Sequence, residues 1–265
     1  AGGESEKGIS DKVWLMMWDE KTKKILFKAL PTLPFPVTNA AATIIGNTVY
    51  LAGGETAVNT SAQFFSLDLN STSAGWKKLA DIPQPISHTV MTAALNKKAD
   101  KIYLCGGRKK NSNGISDLYN TVFVYDAASN NWEEQKGMPY PLSAGTGIMI
   151  NANDIILFGG DKGTTFHKVE TLIAAINAEK DETKKQGLIL QKNKLQSEHP
   201  GFSKEVLLYN VKDDIWEIID TIPFNTPVTT TVVKWKSRII IPSGEIKAGL
   251  RSPKILEVKI QQKNK

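Results

Sequence analysis

The sequence predicts an all-β protein of the β-propeller type, and three observations indicate this fold. Apolar runs end in glycine pairs that begin at Gly53, Gly106 and Gly159, an interval of 53 residues each time. Tyr125 and Trp132 are seven residues apart. The same spacing separates a second pair, Tyr209 and Trp216. A proline-bearing link closes the units, as at Ile82-Pro83, Met138-Pro139 and Ile222-Pro223. Repeats of about 50 residues built from short strands are typical of propellers.

The glycine pair is the most regular part of the repeat. It also occurs at Gly2-Gly3, and a variant, Ser243-Gly244, follows the apolar run that starts at Arg238. We expect these glycines to end a strand in a tight turn where a Cβ atom would clash, and the tryptophans to fill the space between neighbouring sheets. Five phased occurrences predict a Kelch-type propeller of four-stranded antiparallel blades. About five blades are represented, of six in the complete ring.

The repeats divide one predicted domain, residues 1–265, into five blade units. They span residues 1–33, 34–83, 84–139, 140–223 and 224–260. The first unit lacks the strands that should precede Gly2, and the last has no tryptophan strand. Propellers close by pairing strands from both termini, and open sheet edges favour aggregation, so we expect an N-terminal blade segment to be missing from this sequence.

The fourth interval contains an insertion. Gly160 and Gly244 are 84 residues apart, which is 31 more than the regular interval of 53. Apolar residues at Val169, Leu172, Ile173 and Ile176 follow the helical period, so residues 168–200 are predicted to hold a helix. We expect a charged, mobile segment from 181 to 186 and a strand again near 206. Such an insertion can be a lid, a partner contact or an inert elaboration.

Composition excludes several functional classes. The net charge is +6, but arginines occur only at 108, 238 and 251 and the lysines are scattered, which argues against a nucleic-acid partner. The single cysteine, Cys105, lies in an apolar run and predicts a buried thiol without a disulfide. The sequence contains no apolar run of about 18 residues, so insertion into a membrane is not expected, and no signal peptide is recognisable.

Ionisable residues follow every glycine pair. They are Glu4, Glu55, Arg108, Asp161 and Glu245. Because these positions are equivalent in a propeller, we expect at least Glu55, Arg108 and Glu245 to face one cavity and form a polar funnel for a polyhydroxylated anion. The alternative is that they are solvated residues after a turn.

The last unit carries the strongest local signal. Glu245 and Arg251 are six residues apart on a turn with two glycines, Gly244 and Gly249, and a carboxylate and a guanidinium placed there can converge on one small ligand. The alternative is an ion pair that pins the loop. The three histidines and the cysteine have no metal-ligand spacing, and no nucleotide or nucleophile motif occurs, so no cofactor or metal is expected.

The segment from Gly244 to Arg251, the three regular glycine pairs and the helical insertion resemble the bacterial sialic acid mutarotases, or N-acetylneuraminate epimerases. The unit order resembles a cyclically permuted branch of that family. The resemblance implies an isomerase that interconverts the α- and β-anomers of N-acetylneuraminate, with Glu245 as proton acceptor and Arg251 as an essential substrate-binding group. Arg108 is a second candidate cation, and Glu55 and Asp161 are further candidate substrate-binding residues.

The resemblance also implies a periplasmic or secreted protein that needs no metal and acts on a small sugar acid. A non-catalytic Kelch propeller that binds a protein or a carbohydrate is the alternative. It explains the repeats equally well but gives no reason for Glu245 and Arg251 to share a double-glycine turn.

Overall fold

A computed structural model describes residues 1–94, 100–236 and 238–259 of the chain. This part is all-β, with several small antiparallel sheets and, among the described residues, two α-helices. The chain divides into two compact units. The first contains Ala1–Ser87 and Asp126–Trp132, and the second contains His88–Tyr125 and Glu133–Lys265. Ile260, the end of the predicted fifth blade unit, lies outside the described residues.

The first unit holds three sheets. Two are hairpins, β1 (Glu4–Ser5) with β2 (Gly8–Ile9) and β3 (Val13–Asp19) with β4 (Lys24–Leu30). The third is a four-stranded sheet of β5 (Ala41–Ile45), β6 (Thr48–Ala52), β7 (Phe64–Asp68) and β8 (Lys77–Lys78), paired in chain order. Buried Val13, Leu33, Val37 and Leu51 form a core cluster here.

The remaining sheets follow in chain order. One has the order β12-β11-β10-β9, with β9 (Val90–Ala93), β10 (Lys101–Lys110), β11 (Ser116–Asp126) and β12 (Asn131–Gln135). The next contains β13 (Thr146–Met149), β14 (Asp154–Phe158), β15 (Glu205–Asn210) and β16 (Ile215–Thr221). The last contains β17 (Val233–Trp235), β18 (Arg238–Lys247) and β19 (Leu250–Val258). Buried apolar side chains of β9 to β11 and β13 to β15 share one core cluster.

The insertion between β14 and β15 is a pair of helices. Helix α1 spans Thr164–Ala178, so the predicted helix is confirmed but begins earlier than residue 168. Helix α2 spans Glu182–Ser197, and the expected mobile segment at 181–186 is therefore wrong. Asp181 explains the difference, because its side chain accepts a hydrogen bond from Lys184 N and caps the helix. The strand expected near residue 206 is confirmed as β15.

The glycine pairs adopt left-handed backbone conformations. Gly53, Gly106 and Gly159 have φ of 62°, 62° and 68°. A Cβ atom at Gly53 would lie 2.1 Å from the carbonyl oxygen of Ile86, which confirms the predicted clash. The expectation that the pair ends its strand holds for β6 and β14 but is wrong for β10, which continues through Gly106-Gly107 to Lys110, and for β18, which continues through Ser243-Gly244 to Lys247. The backbone can turn at these glycines and still keep ladder hydrogen bonds.

The repeated tryptophans each donate one equivalent hydrogen bond. The indole nitrogens of Trp76, Trp132 and Trp216 donate to the carbonyl oxygens of Pro31, Ala80 and Lys136, each over 3.0 Å. Each acceptor lies three residues before a proline, at 34, 83 and 139, in the link that leaves the preceding sheet. The tryptophans therefore join consecutive sheets, as the sequence predicts.

The β3–β4 hairpin exposes an apolar face. Its register pairs Met16 with Phe27 and Trp18 with Ile25, and Trp14 lies on the same face as Met16. Each of these five side chains is more than half exposed. Such a contiguous apolar face distinguishes this hairpin from the four-stranded sheets, whose central strands are mostly buried.

The buried cysteine gives a first test of the fold. Cys105 is 1% exposed in β10, and burial raises the pKa of its thiol to about 12. Because the thiolate is the reactive form, we expect almost no reaction with a thiol-specific reagent at pH 8 in the folded protein, and rapid, stoichiometric reaction in denaturant. Fast labelling without denaturant would contradict the described burial.

Candidate functional site

Three non-glycine residues in left-handed conformation form a backbone chain in the second unit. His88, Ala144 and Thr229 have φ of 52°, 58° and 50°. Ala144 N donates to His88 O over 2.8 Å, and Thr229 N donates to Ala144 O over 2.9 Å. Residues other than glycine rarely adopt this backbone conformation, and it persists where the surrounding structure enforces it. The three residues link the starts of successive sheets.

Residues after the glycine pairs bond to the neighbours of this chain. Asp161 exchanges two backbone hydrogen bonds with Ser143, which precedes Ala144. Glu245 exchanges two with Val228, which precedes Thr229. In the first unit, Glu55 makes the same pair of bonds with Thr38. The post-glycine positions are thus fixed by main-chain bonds, and their side chains do not have to contribute to this arrangement.

Glu245 and Arg251 are direct cross-strand partners on β18 and β19. Partners in an antiparallel ladder project from the same face, with Cβ atoms about 5 Å apart. Glu245 Oε1 accepts a hydrogen bond from Gly249 N over 2.7 Å, and an Arg251 Nη atom donates to Thr229 O over 3.3 Å. Within the described residues, no ion pair joins the two side chains. The loop-pinning ion pair considered from the sequence is therefore not formed, and both groups keep capacity for a ligand.

Ser243 supports this hairpin in a strained conformation. Its φ of 53° is that of the first glycine in the other pairs, although serine has a Cβ atom. Its hydroxyl donates to Ser252 O over 2.8 Å and so ties β18 to β19 beside the Glu245–Arg251 pair. The variant Ser-Gly pair seen in the sequence therefore keeps the backbone geometry of the regular pairs.

The other predicted site residues have partners of their own. The guanidinium of Arg108 lies 4.8 Å from the ring centroid of Phe166 in α1. Glu55, in the first unit, accepts from the Ser87 hydroxyl over 2.8 Å. Asp161 Oδ1 accepts from Gly163 N over 2.7 Å. Glu4 is exposed in β1. Asp161 and Glu245 are linked through the backbone chain of the second unit, whereas a cavity that they share with each other or with Glu55 stays a prediction.

A cavity of about 310 Å³ opens beside Asp161. Its wall includes Lys162 and Glu205, which form an ion pair, and Tyr140 donates to Glu205 over 2.6 Å. The hydrogen bonds from Lys162 and Tyr140 hold the pKa of Glu205 below its usual value, and burial with the Glu205 contact raises the pKa of Tyr140. These residues were not predicted from the sequence, and neither was His199, which also lines the cavity. The only local signal was the Pro200-Gly201 turn after the insertion.

Metal-ligand clusters and membrane-spanning helices are both absent from the described residues. Within those ranges, no group of three or more histidine, cysteine or acidic side chains is arranged to hold a metal ion. In the same part of the chain, neither helix has the length and apolar character that a transmembrane span requires.

Comparisons with known proteins agree with one family. The family model of N-acetylneuraminate epimerase matches residues 30–265. Proteins named N-acetylneuraminate epimerase from Salmonella typhimurium and Brucella melitensis biotype 1 are 28% and 29% identical, over 84% and 87% of this chain. The chain spans only 56% and 59% of their lengths.

A solved structure is similar in fold. The structure of YjhT, a β-propeller, superposes with a TM-score of 0.70 at 22% identity and covers 89% of this chain. The match covers 65% of the YjhT chain. At this identity, the likeness supports a shared fold.

Proposed function

Because the chain belongs to the N-acetylneuraminate epimerase family, we propose that it is an isomerase that interconverts the α- and β-anomers of N-acetylneuraminate. The observation that carries the proposal is the Glu245–Arg251 pair. It presents a carboxylate and a guanidinium on one face of a hairpin, and the two groups do not form an ion pair with each other. The scaffold is proposed to be a Kelch-type propeller with six blades in the complete ring, located in the periplasm or secreted.

The reaction requires one proton to leave the anomeric hydroxyl and one to reach the ring oxygen. Glu245 accepts the first proton while the bond between the anomeric carbon and the ring oxygen breaks and the ring oxygen takes a proton from water, which leaves an open-chain ketone and a hydroxyl group. Closure of that hydroxyl on the other face of the ketone gives the second anomer. Gly249 N holds one carboxylate oxygen. The other has no partner among the described residues and is available to the sugar.

Arg251 is the proposed partner of the sugar's C1 carboxylate, because guanidinium forms two parallel hydrogen bonds to a carboxylate. Its bond to Thr229 O uses one donor and orients the group. Asp161, Arg108 and Glu55 are proposed as further substrate-binding residues. Asp161 has the clearest position, one link along the backbone chain from Glu245.

The test of this function is an NMR time course of the freshly dissolved α-anomer of N-acetylneuraminate, recorded with and without the protein. Acceleration of the exchange supports the isomerase. Saturable binding of the sugar with an unchanged exchange rate would instead favour the alternative, a non-catalytic propeller that binds carbohydrate.

The role of Arg251 can be tested by Arg251→Lys, which keeps the charge but loses the planar fork. We expect binding of N-acetylneuraminate to weaken by about 10-fold or more, because a bidentate contact to a carboxylate is replaced by a point charge. Affinity is measured by calorimetric titration. Arg238→Lys is the matched control, since Arg238 lies on the same hairpin but pairs with Glu257. Equal losses in both variants would contradict the assignment.

A further inference from the structure

The cavity beside Asp161 adjoins the Glu245 hairpin. Its wall contains Gly201, whose backbone is so close to β18 that a Cβ atom there would lie 3.6 Å from the carbonyl oxygen of Ile246. Ile246 is the residue after Glu245. Gly201 of the cavity wall therefore lies against β18 within the second unit, at the residue next to Glu245.

His199 offers a hydrogen-bond donor to this cavity. The residue is 5% exposed, and its Nδ1 accepts from Gly201 N over 3.0 Å. The neutral ring therefore carries its proton on Nε2. That atom has no hydrogen-bond partner in the part of the chain that the structure describes, so its N–H is available to a ligand. The ring lines the cavity and lies 5.0 Å from the ring of Phe202, another wall residue.

Other residues of the wall add a hydrogen-bond acceptor and further donors. One oxygen of Asp161 accepts from Gly163 N, and the second oxygen has no partner among the described residues. Helix α1 begins here behind Gly163, without a side-chain cap, and Thr164 and Thr165 of its first turn line the cavity. Backbone N–H groups in a first helical turn have no intrahelical acceptor.

The charges of the wall restrict what can bind. Two carboxylates, Asp161 and Glu205, line the cavity, and Lys162 is already paired with Glu205. A carboxylate of the ligand is therefore disfavoured here and is better placed at Arg251. A neutral group with one donor, one acceptor and a small apolar part matches Asp161, His199 and the faces of Phe202 and Pro200.

We propose that this cavity binds the acetamido group of the sugar, with His199 Nε2–H donating to its carbonyl oxygen and Asp161 accepting from its N–H. The methyl group packs against Phe202. This inference rests on the proposed function and makes His199 and Asp161 specificity-determining residues. The cavity has room for the acetamido group and the adjoining hydroxylated carbons.

The test compares two substitutions of His199 in the full chain. In His199→Asn, the amide oxygen replaces Nδ1 as the acceptor for Gly201 N, but the Nε2 donor is lost. In His199→Gln, the longer amide can restore a donor near the position of Nε2. Affinity is measured by calorimetric titration with N-acetylneuraminate and with its deaminated analogue, which has a hydroxyl in place of the acetamido group. Anomer exchange of both sugars is followed by NMR.

We expect His199→Asn to bind N-acetylneuraminate about 5- to 15-fold more weakly and the deaminated analogue with unchanged affinity, because one hydrogen bond to a neutral group is lost. His199→Gln should recover part of the loss. If the wild-type protein accelerates anomer exchange of both sugars, then equal effects of the substitution on both sugars, or no effect on either, would overturn the assignment. If the wild-type protein accelerates neither sugar, the proposed function fails and the inference falls with it.

Discussion

Replacement of Glu245 by glutamine is expected to lower the rate of anomer exchange by about 10²- to 10⁴-fold, toward the uncatalysed rate. The amide keeps the shape of the side chain and an acceptor oxygen for Gly249 N, so the hairpin and much of the sugar affinity should remain. It cannot take the proton from the anomeric hydroxyl. The measurement is the NMR exchange rate at saturating N-acetylneuraminate, with affinity determined separately by titration.

Two controls separate chemistry from folding in that experiment. Glu257→Gln changes a carboxylate on the neighbouring strand β19 and should leave the exchange rate unchanged. Thermal unfolding of each variant shows whether the fold is kept. A folded Glu245→Gln protein that exchanges anomers as fast as the wild type would remove Glu245 as the base.

Gly53→Ala is expected to destabilise the protein by about 3 kcal/mol or more. The substitution costs roughly 1–2 kcal/mol for a left-handed alanine, and it also drives a Cβ atom to 2.1 Å from a backbone oxygen of Ile86. That carbonyl cannot rotate away as a side chain could. The free energy of unfolding is measured by chemical denaturation.

Gly46→Ala is the matched control for this prediction. Gly46 lies in the same unit with a φ of 56°, close to the 62° of Gly53, but a Cβ atom added there would have no described atom within 4 Å outside its chain neighbours. Only the conformational cost, roughly 1–2 kcal/mol, should appear there. Similar losses at both glycines would show that the close approach to the Ile86 carbonyl is not what makes glycine necessary at position 53.

The repeat could be predicted from the sequence because glycine is the residue that both a left-handed φ and a close backbone approach require. The tryptophan spacing was similarly informative, since each indole makes one equivalent bond. The left-handed conformations of Ala144 and Thr229 could not be predicted, because neither alanine nor threonine favours that conformation, and histidine at position 88 favours it only weakly. It is imposed by hydrogen bonds between sheets that are distant in sequence.

The second helix and His199 were missed for related reasons. None of the side chains of α2 is buried, so no apolar period marks it, and its clearest signal was the capping residue Asp181. The proposed role of His199 depends on its hydrogen bond with Gly201 and on a cavity that Asp161 also lines. Asp161 precedes the helical insertion and His199 follows it, so their proximity is not visible in the sequence. The Glu245–Arg251 pair could be predicted from the sequence because a short hairpin turn brings the two residues together.

The backbone chain through His88, Ala144 and Thr229 also bears on how such a site can evolve. Asp161 and Glu245 are positioned by main-chain bonds to Ser143 and Val228, and these bonds form whatever side chain follows the glycine pair. Mutations at those positions can therefore change ligand chemistry at little cost to folding. Drift in substrate preference among descendants of this protein should concentrate at Asp161, while Glu245, which the proposed reaction requires, and the glycines beside both positions stay fixed.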